Sequence, residues 1–283
     1  DFCLSRGLGD VYKRQLWLQV PPLTAFYTAT TLVLLLCAWW TAALLRRYSA
    51  IFEDRLVTAT VVAIVLALLP RADFGQREHL IAAAALPYLA LLALRLRGNF
   101  VRDGQAAAVG VAAAIGFALK PYHLIAFLMV EMLALSRGLR PLRPETIAVA
   151  LVAVAYLLAI AAFFPSYLTD ILPINFEYYL GAGTVPMASI VSGRYFLVMG
   201  VVGLVLSIAS RREAGRDPLL LVLLVFGLGT AIAYVVQRKG WLYQAMPCYI
   251  ALGLALLYSL ANTAATASLA WRRGRIACLV ILA

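Results

Sequence analysis

Charge is scarce in this sequence. Only 13% of its 283 residues are charged, where ordinary soluble domains carry roughly 25%. The hydrophobic share is 64% and the mean hydropathy is +0.91. That balance excludes a water-soluble globular domain, because no soluble core hides so much apolar surface. Cysteine is sparse too. Of Cys3, Cys37, Cys248 and Cys278, the last three lie in apolar stretches, and none forms a CxxC pair. Such spacing implies neither a disulfide framework nor a thiolate metal site, only small buried hydrophobes. There is no Walker motif, no dinucleotide-binding glycine fingerprint in context and no zinc-ligand spacing. Histidine occurs twice, and lysine supplies three of the 24 basic residues. This arginine-dominated, Ala-, Leu- and Val-rich usage fits a GC-rich bacterial genome.

Long apolar runs are what the chain has instead. They occupy 23–45, 56–70, 80–94, 105–119, 122–136, 146–164, 194–209, 218–236 and 243–262. About 20 helical residues span a bilayer core. The runs therefore predict an all-α, polytopic membrane bundle of nine spans, the shorter ones completed by flanking residues. A tenth span is expected to open at IACLVILA, 276–283. Residues 1–15, DFCLSRGLGDVYKRQ, are polar, lack an apolar period and resemble translated sequencing-adapter sequence. They also lack the apolar stretch of a signal peptide. They are expected to be non-native, and 16–283 to be a single bundle from within a longer protein.

The net charge of +11 does not mark a nucleic-acid binder, because the cations sit in short loops between apolar runs rather than on one patch. Five loops hold three arginines each: Arg46, Arg47, Arg55; Arg95, Arg97, Arg102; Arg137, Arg140, Arg143; Arg211, Arg212, Arg216; and Arg272, Arg273, Arg275. The alternate loops hold only Arg71, Arg77, Lys120, Arg194, Arg238 and Lys239. The positive-inside rule makes the richer set cytoplasmic. It also divides 105–136 into two spans broken at Pro121, since a single crossing would put Arg137, Arg140 and Arg143 outside.

Topology leaves the polar residues of the arginine-poor side unexplained. Residues 71–80 carry Asp73, Arg77, Glu78 and His79; KPYH carries Lys120 and His123; 165–194 carries Asp170 and Glu177; QRKGWLYQ carries Arg238, Lys239, Trp241 and Gln244. Both histidines, and both lysines beyond residue 15, are on this side. Asp73 and Glu78 are the candidate catalytic carboxylates, able to take a hydroxyl proton or hold a divalent metal. Arg77, Lys120, Arg238 and Lys239 suit a phosphate; His79, His123 and Trp241 complete a substrate site. The plain alternatives are a solvated loop for Asp73, Arg77 and Glu78, snorkelling for Lys120 and His123, and an aromatic-belt anchor for Arg238, Lys239 and Trp241. Asp170 and Glu177 read as solvated loop charges. Glu131, inside a span, reads as a bond to a neighbouring helix. Gly200 and Gly203 read as a close-packing pair.

Three stretches, DFGQREHL with the LPY that follows, LKPYHL and RKGWLYQAMP, resemble bacterial membrane proteins of the GT-C glycosyltransferase superfamily. Its members include protein O-mannosyltransferases and the aminoarabinose transferases of lipid A. The resemblance implies sugar transfer from a polyprenyl-phosphate donor at the extracytoplasmic face of the inner membrane. It also implies a principal catalytic acid in a first outer loop, which is expected to precede Leu16. Asp73 and Glu78 match the family's second acidic loop. The alternatives are a lipid-carrier transporter or flippase, an O-antigen polymerase or ligase, and a scaffold without activity.

Overall fold

The computed structural model describes residues 22–179, 184–209 and 217–262. Among the described residues every element is helical. Nine longer helices follow one another: α1 Pro22–Leu45, α2 Arg55–Leu68, α3 Arg77–Leu96, α4 Asp103–Ala118, α5 Leu124–Ser136, α6 Pro144–Phe163, α7 Arg194–Ala209, α8 Pro218–Gln237 and α9 Met246–Asn262. Each apolar run thus forms one helix. Five are long and apolar enough to cross a membrane: α1, α3, α6, α8, and α9 with its leading turn. The others, α2, α4, α5 and α7, have 14, 16, 13 and 16 residues and fall short of the ~20 that a bilayer core requires. Residues 1–15, the arginine loops at 211–216 and 272–275, and the expected tenth span lie outside the described residues.

Local chemistry sets the boundaries. Asp54 caps α2 by accepting from the Val57 amide, and Asp217 caps α8 by accepting from Leu219 and Leu220. Lys120 is extended and Pro121 opens a 3-10 turn, Pro121–His123, so one apolar stretch becomes two helices. They splay apart from that link: α4 packs on α3 and α6, whereas α5 packs on α8.

The centre of the bundle is α3, which packs against α1, α4, α8 and α9. Its buried face runs from Glu78 to Leu94. Glycines let two other pairs approach closely. In α4, Gly110 lies against the Glu145 carbonyl and Ala148 of α6; in α8, Gly229 lies against Ala126 of α5. Gly200 and Gly203 do not form such a seam. A Cβ at Gly200 would meet nothing within 4 Å, and one at Gly203 only Leu252 at 4.0 Å. The small residues there match a helix that packs only loosely on α8 and α9. The outlier is α6: only 11% of its apolar window is buried. Such a helix, apolar on all sides yet bare, fits hydrocarbon surroundings.

The helices alternate in direction, so the loops divide between two ends. Tyr48, Arg97 and Asp217 meet at the arginine-rich end. The turns carrying Glu78, Lys120, Val185 and Arg238 meet at the other.

A Cβ at Gly229 would fall 2.5 Å from Ala126 Cα, and both are backbone-fixed. Gly229→Ala is expected to lower stability by about 1–3 kcal/mol in detergent unfolding. Gly200→Ala, in open space, should stay within about 0.5 kcal/mol of the parent.

Candidate functional site at the arginine-poor end

The chain enters this end through a 3-10 turn, Arg71–Asp73. Gly75 follows at φ +83°, where an added Cβ would strike the Phe26 ring. That turn aims the Gly75 amide back at His79, whose Nδ1 accepts it at 3.1 Å, and the His79 ring packs edge-on against Phe74. His79 therefore fastens the loop to the first turn of α3.

Its neighbour Glu78 points inward and is fully buried. Oε1 accepts from Lys120 Nζ at 2.5 Å, a partner 42 residues away, while Arg77 stays exposed. The α3 N-terminus adds favourable partial charge beside the carboxylate. Burial pushes the Lys120 ammonium below the usual lysine range, and the hydrogen bond and charge of Glu78 pull it back up. Lys120 Nζ also lies 5.7 Å from the Tyr243 ring centre.

Two more fully buried polar side chains complete the cluster. His123, on the turn that starts at Pro121, has no protein partner for either ring nitrogen. Gln244, on the turn Leu242–Ala245 that packs against α3 and α8, has none for either amide atom. Glu78 Oε2 and Gln237 Oε1 are likewise unpartnered. Most buried polar atoms in native proteins are hydrogen-bonded, so this concentration of unpartnered atoms sets the cluster apart from its surroundings.

The remaining candidates differ in burial. Lys239 is buried. Arg238 is exposed, adopts φ +52°, and its carbonyl accepts from the Val185 amide at 2.7 Å. Trp241 is exposed and stacks on Tyr243 with ring centres 5.7 Å apart. Asp73 is half-buried, and no contact joins it to the Glu78–Lys120 pair. Asp170 and Glu177 are exposed. Among the described residues no group of three or more His, Cys, Asp or Glu side chains could hold a metal ion.

At the arginine-rich end three carboxylates are saturated. Asp217 accepts from Tyr48 at 2.6 Å and from Tyr258 at 2.5 Å, and Arg97 pairs with it at 3.4 Å while lying 3.5 Å over the Tyr48 ring. Glu131 accepts from Tyr88 at 2.6 Å and from Arg143 at 2.6 Å; Glu145 accepts from Arg143 and Arg95 at 2.9 and 3.0 Å. Glu131 does bond a neighbouring helix. Arg95, Arg97 and Arg143, loop cations by the charge count, are structural partners. Asp217, Tyr48 and Tyr258 carry no sequence signal beyond the cap residue before Pro218.

The chain matches no protein-family model, no curated protein and no solved structure.

The contrast between the two ends is measurable. Lys120→Met strands the Glu78 carboxylate and should cost about 3–5 kcal/mol, most of it recovered in a Glu78→Gln/Lys120→Met pair. Gln244→Leu removes only unpartnered atoms and should be neutral or stabilising by about 1–2 kcal/mol. Asp217→Asn should destabilise by about 1–3 kcal/mol. Chemical unfolding in detergent reads all four.

Proposed function

We propose that this chain is the multi-pass body of a bacterial inner-membrane glycosyltransferase that moves a sugar from a polyprenyl-phosphate donor to an acceptor at the extracytoplasmic face. On this reading all nine helices cross or enter the bilayer, the arginine-rich end is cytoplasmic, and the Glu78–Lys120 end opens outward. The observation that carries it is the buried cation–carboxylate pair flanked by the unpartnered His123 and Gln244, within sequence stretches that resemble the GT-C superfamily.

The reaction needs three things of these residues. Lys120, with Arg238 and Lys239, stabilises charge growing on the phosphate as the C1–O bond to the donor breaks. A carboxylate, Glu78 or Asp73, takes the acceptor hydroxyl proton as the new C1–O bond forms. Trp241 offers an exposed ring face for the sugar. The phosphate leaves with the electron pair of the broken bond. A transporter or flippase would need polar groups continued between the two ends. Here the arginine-rich clusters are closed on themselves, which favours transfer at one face.

The test is to supply nanodisc-held protein with a panel of polyprenyl-phosphate monosaccharides and to follow free polyprenyl phosphate and thermal stabilisation together. Donor consumption is expected, with Glu78→Gln lowering the rate by about 10²–10⁴ and Lys120→Met abolishing stabilisation. Absence of both consumption and stabilisation with every donor tested would overturn the reading. Separately, reporters fused at Gly98 and Gly138 should read cytoplasmic, and at Gly75 and Gly240 extracytoplasmic.

A further inference from the structure

The arginine-rich end carries a second polar feature that the sugar-transfer reading does not use. Arg46 and Arg47 close α1, Arg55 opens α2, and together with Gln105 of α4 they line one cavity of about 470 Å³. Their guanidinium groups make no ion pair with any carboxylate among the described residues. The two acidic residues nearby are otherwise placed: Asp54 is spent capping α2, and Glu53 is exposed. Arg55 Nε is buried without a protein partner. Its guanidinium lies 3.6 Å over the Trp39 ring, which holds the planar fork in place.

Trp39 joins this cavity to an apolar groove. The groove, about 610 Å³, runs between Leu32, Leu36 and Trp39 of α1 and Leu56, Ala59 and Ala63 of α2. The alanines form a shallow floor and the leucines the exposed walls. From Leu56 to Ala67 the groove follows about 16 Å of helix, close to half of a ~30 Å hydrocarbon core and so about one leaflet deep.

We infer that the α1–α2 face is a binding site for an anionic phospholipid, its phosphate held by Arg46, Arg47 and Arg55 and an acyl chain lying in the groove beyond Trp39. Guanidinium forks match phosphate oxygens in pairs. Three of them without carboxylate partners leave a net positive pocket that an anionic headgroup neutralises and a zwitterionic one does not. The groove supplies what a free phosphate has no use for. This site depends on the chain being in a membrane and not on sugar transfer.

The experiment is native mass spectrometry of the intact chain released from detergent. It is titrated with phosphatidylglycerol, phosphatidylethanolamine and inorganic phosphate in separate arms. Phosphatidylglycerol is expected to bind in preference to phosphatidylethanolamine. The triple variant Arg46→Gln/Arg47→Gln/Arg55→Gln should lose that preference by on the order of a hundredfold. Ala63→Phe, which fills the groove and leaves the arginines alone, should weaken phosphatidylglycerol while inorganic phosphate fails to displace it from the parent. Circular dichroism confirms that each variant is folded. Equal binding of the two lipids, an unchanged preference in the folded triple variant, or displacement by inorganic phosphate would each overturn the assignment. An active donor assay with no lipid preference would reject this site and leave the transferase reading intact.

Discussion

Lys120 and Glu78 hold opposite charges 2.5 Å apart among helices that offer little other polarity. Taking either group out of water costs several kcal/mol, and their attraction repays this only when the geometry is close and the remaining lone pairs are met. At this site one carboxylate oxygen is not met by protein. The pair therefore constrains its surroundings: the 3-10 turn at Arg71–Asp73, the positive-φ Gly75 and the extended Lys120 all serve to bring two distant loops to one point.

The carboxylates of the opposite end solve the same problem by saturation. Glu131, Glu145 and Asp217 each accept two or more hydrogen bonds, and Arg95, Arg97 and Arg143 neutralise them. These clusters tie α3, α5, α6, α8 and α9 together with the loop after α1. The carboxylates of one end are closed polar scaffolding, whereas at the other Glu78 Oε2, His123 and Gln244 keep buried atoms without a protein partner. Proteins keep unmet buried groups where function requires them and give up stability for it.

The helices were legible in the sequence because lipid-facing and bundle-facing residues are alike apolar, so each run stands out against its loops. Their ends were less so. The third run reads as 80–94, yet α3 spans Arg77–Leu96, because hydropathy discards Glu78 and His79, which the fold buries. The crossing number is the same problem in reverse: α2, α4, α5 and α7 are apolar but short, and no hydropathy pattern says whether neighbours shield their ends. In the site, Glu78, Lys120 and His123 stood out as polarity out of place, but their pairing did not. Arg77 and Glu78 are adjacent in sequence, but adjacent residues on a helix point to different faces, and Arg77 is exposed where Glu78 is buried. Asp217 stayed hidden because its partners, Tyr48 and Tyr258, lie 169 and 41 residues away.

The ion pair also bears on how the proposed reaction would begin. In the free site Glu78 Oε1 already accepts from Lys120 Nζ, so the cation is engaged before any donor arrives. A donor phosphodiester arriving at Lys120 competes for the same three N–H groups and, like the carboxylate, carries one negative charge. Each bond shifted from Glu78 to the phosphate leaves the carboxylate less stabilised in an apolar setting, where such changes are large. Before donor arrives Glu78 stays paired, so on the proposed reading one cation holds the carboxylate first and the leaving group later.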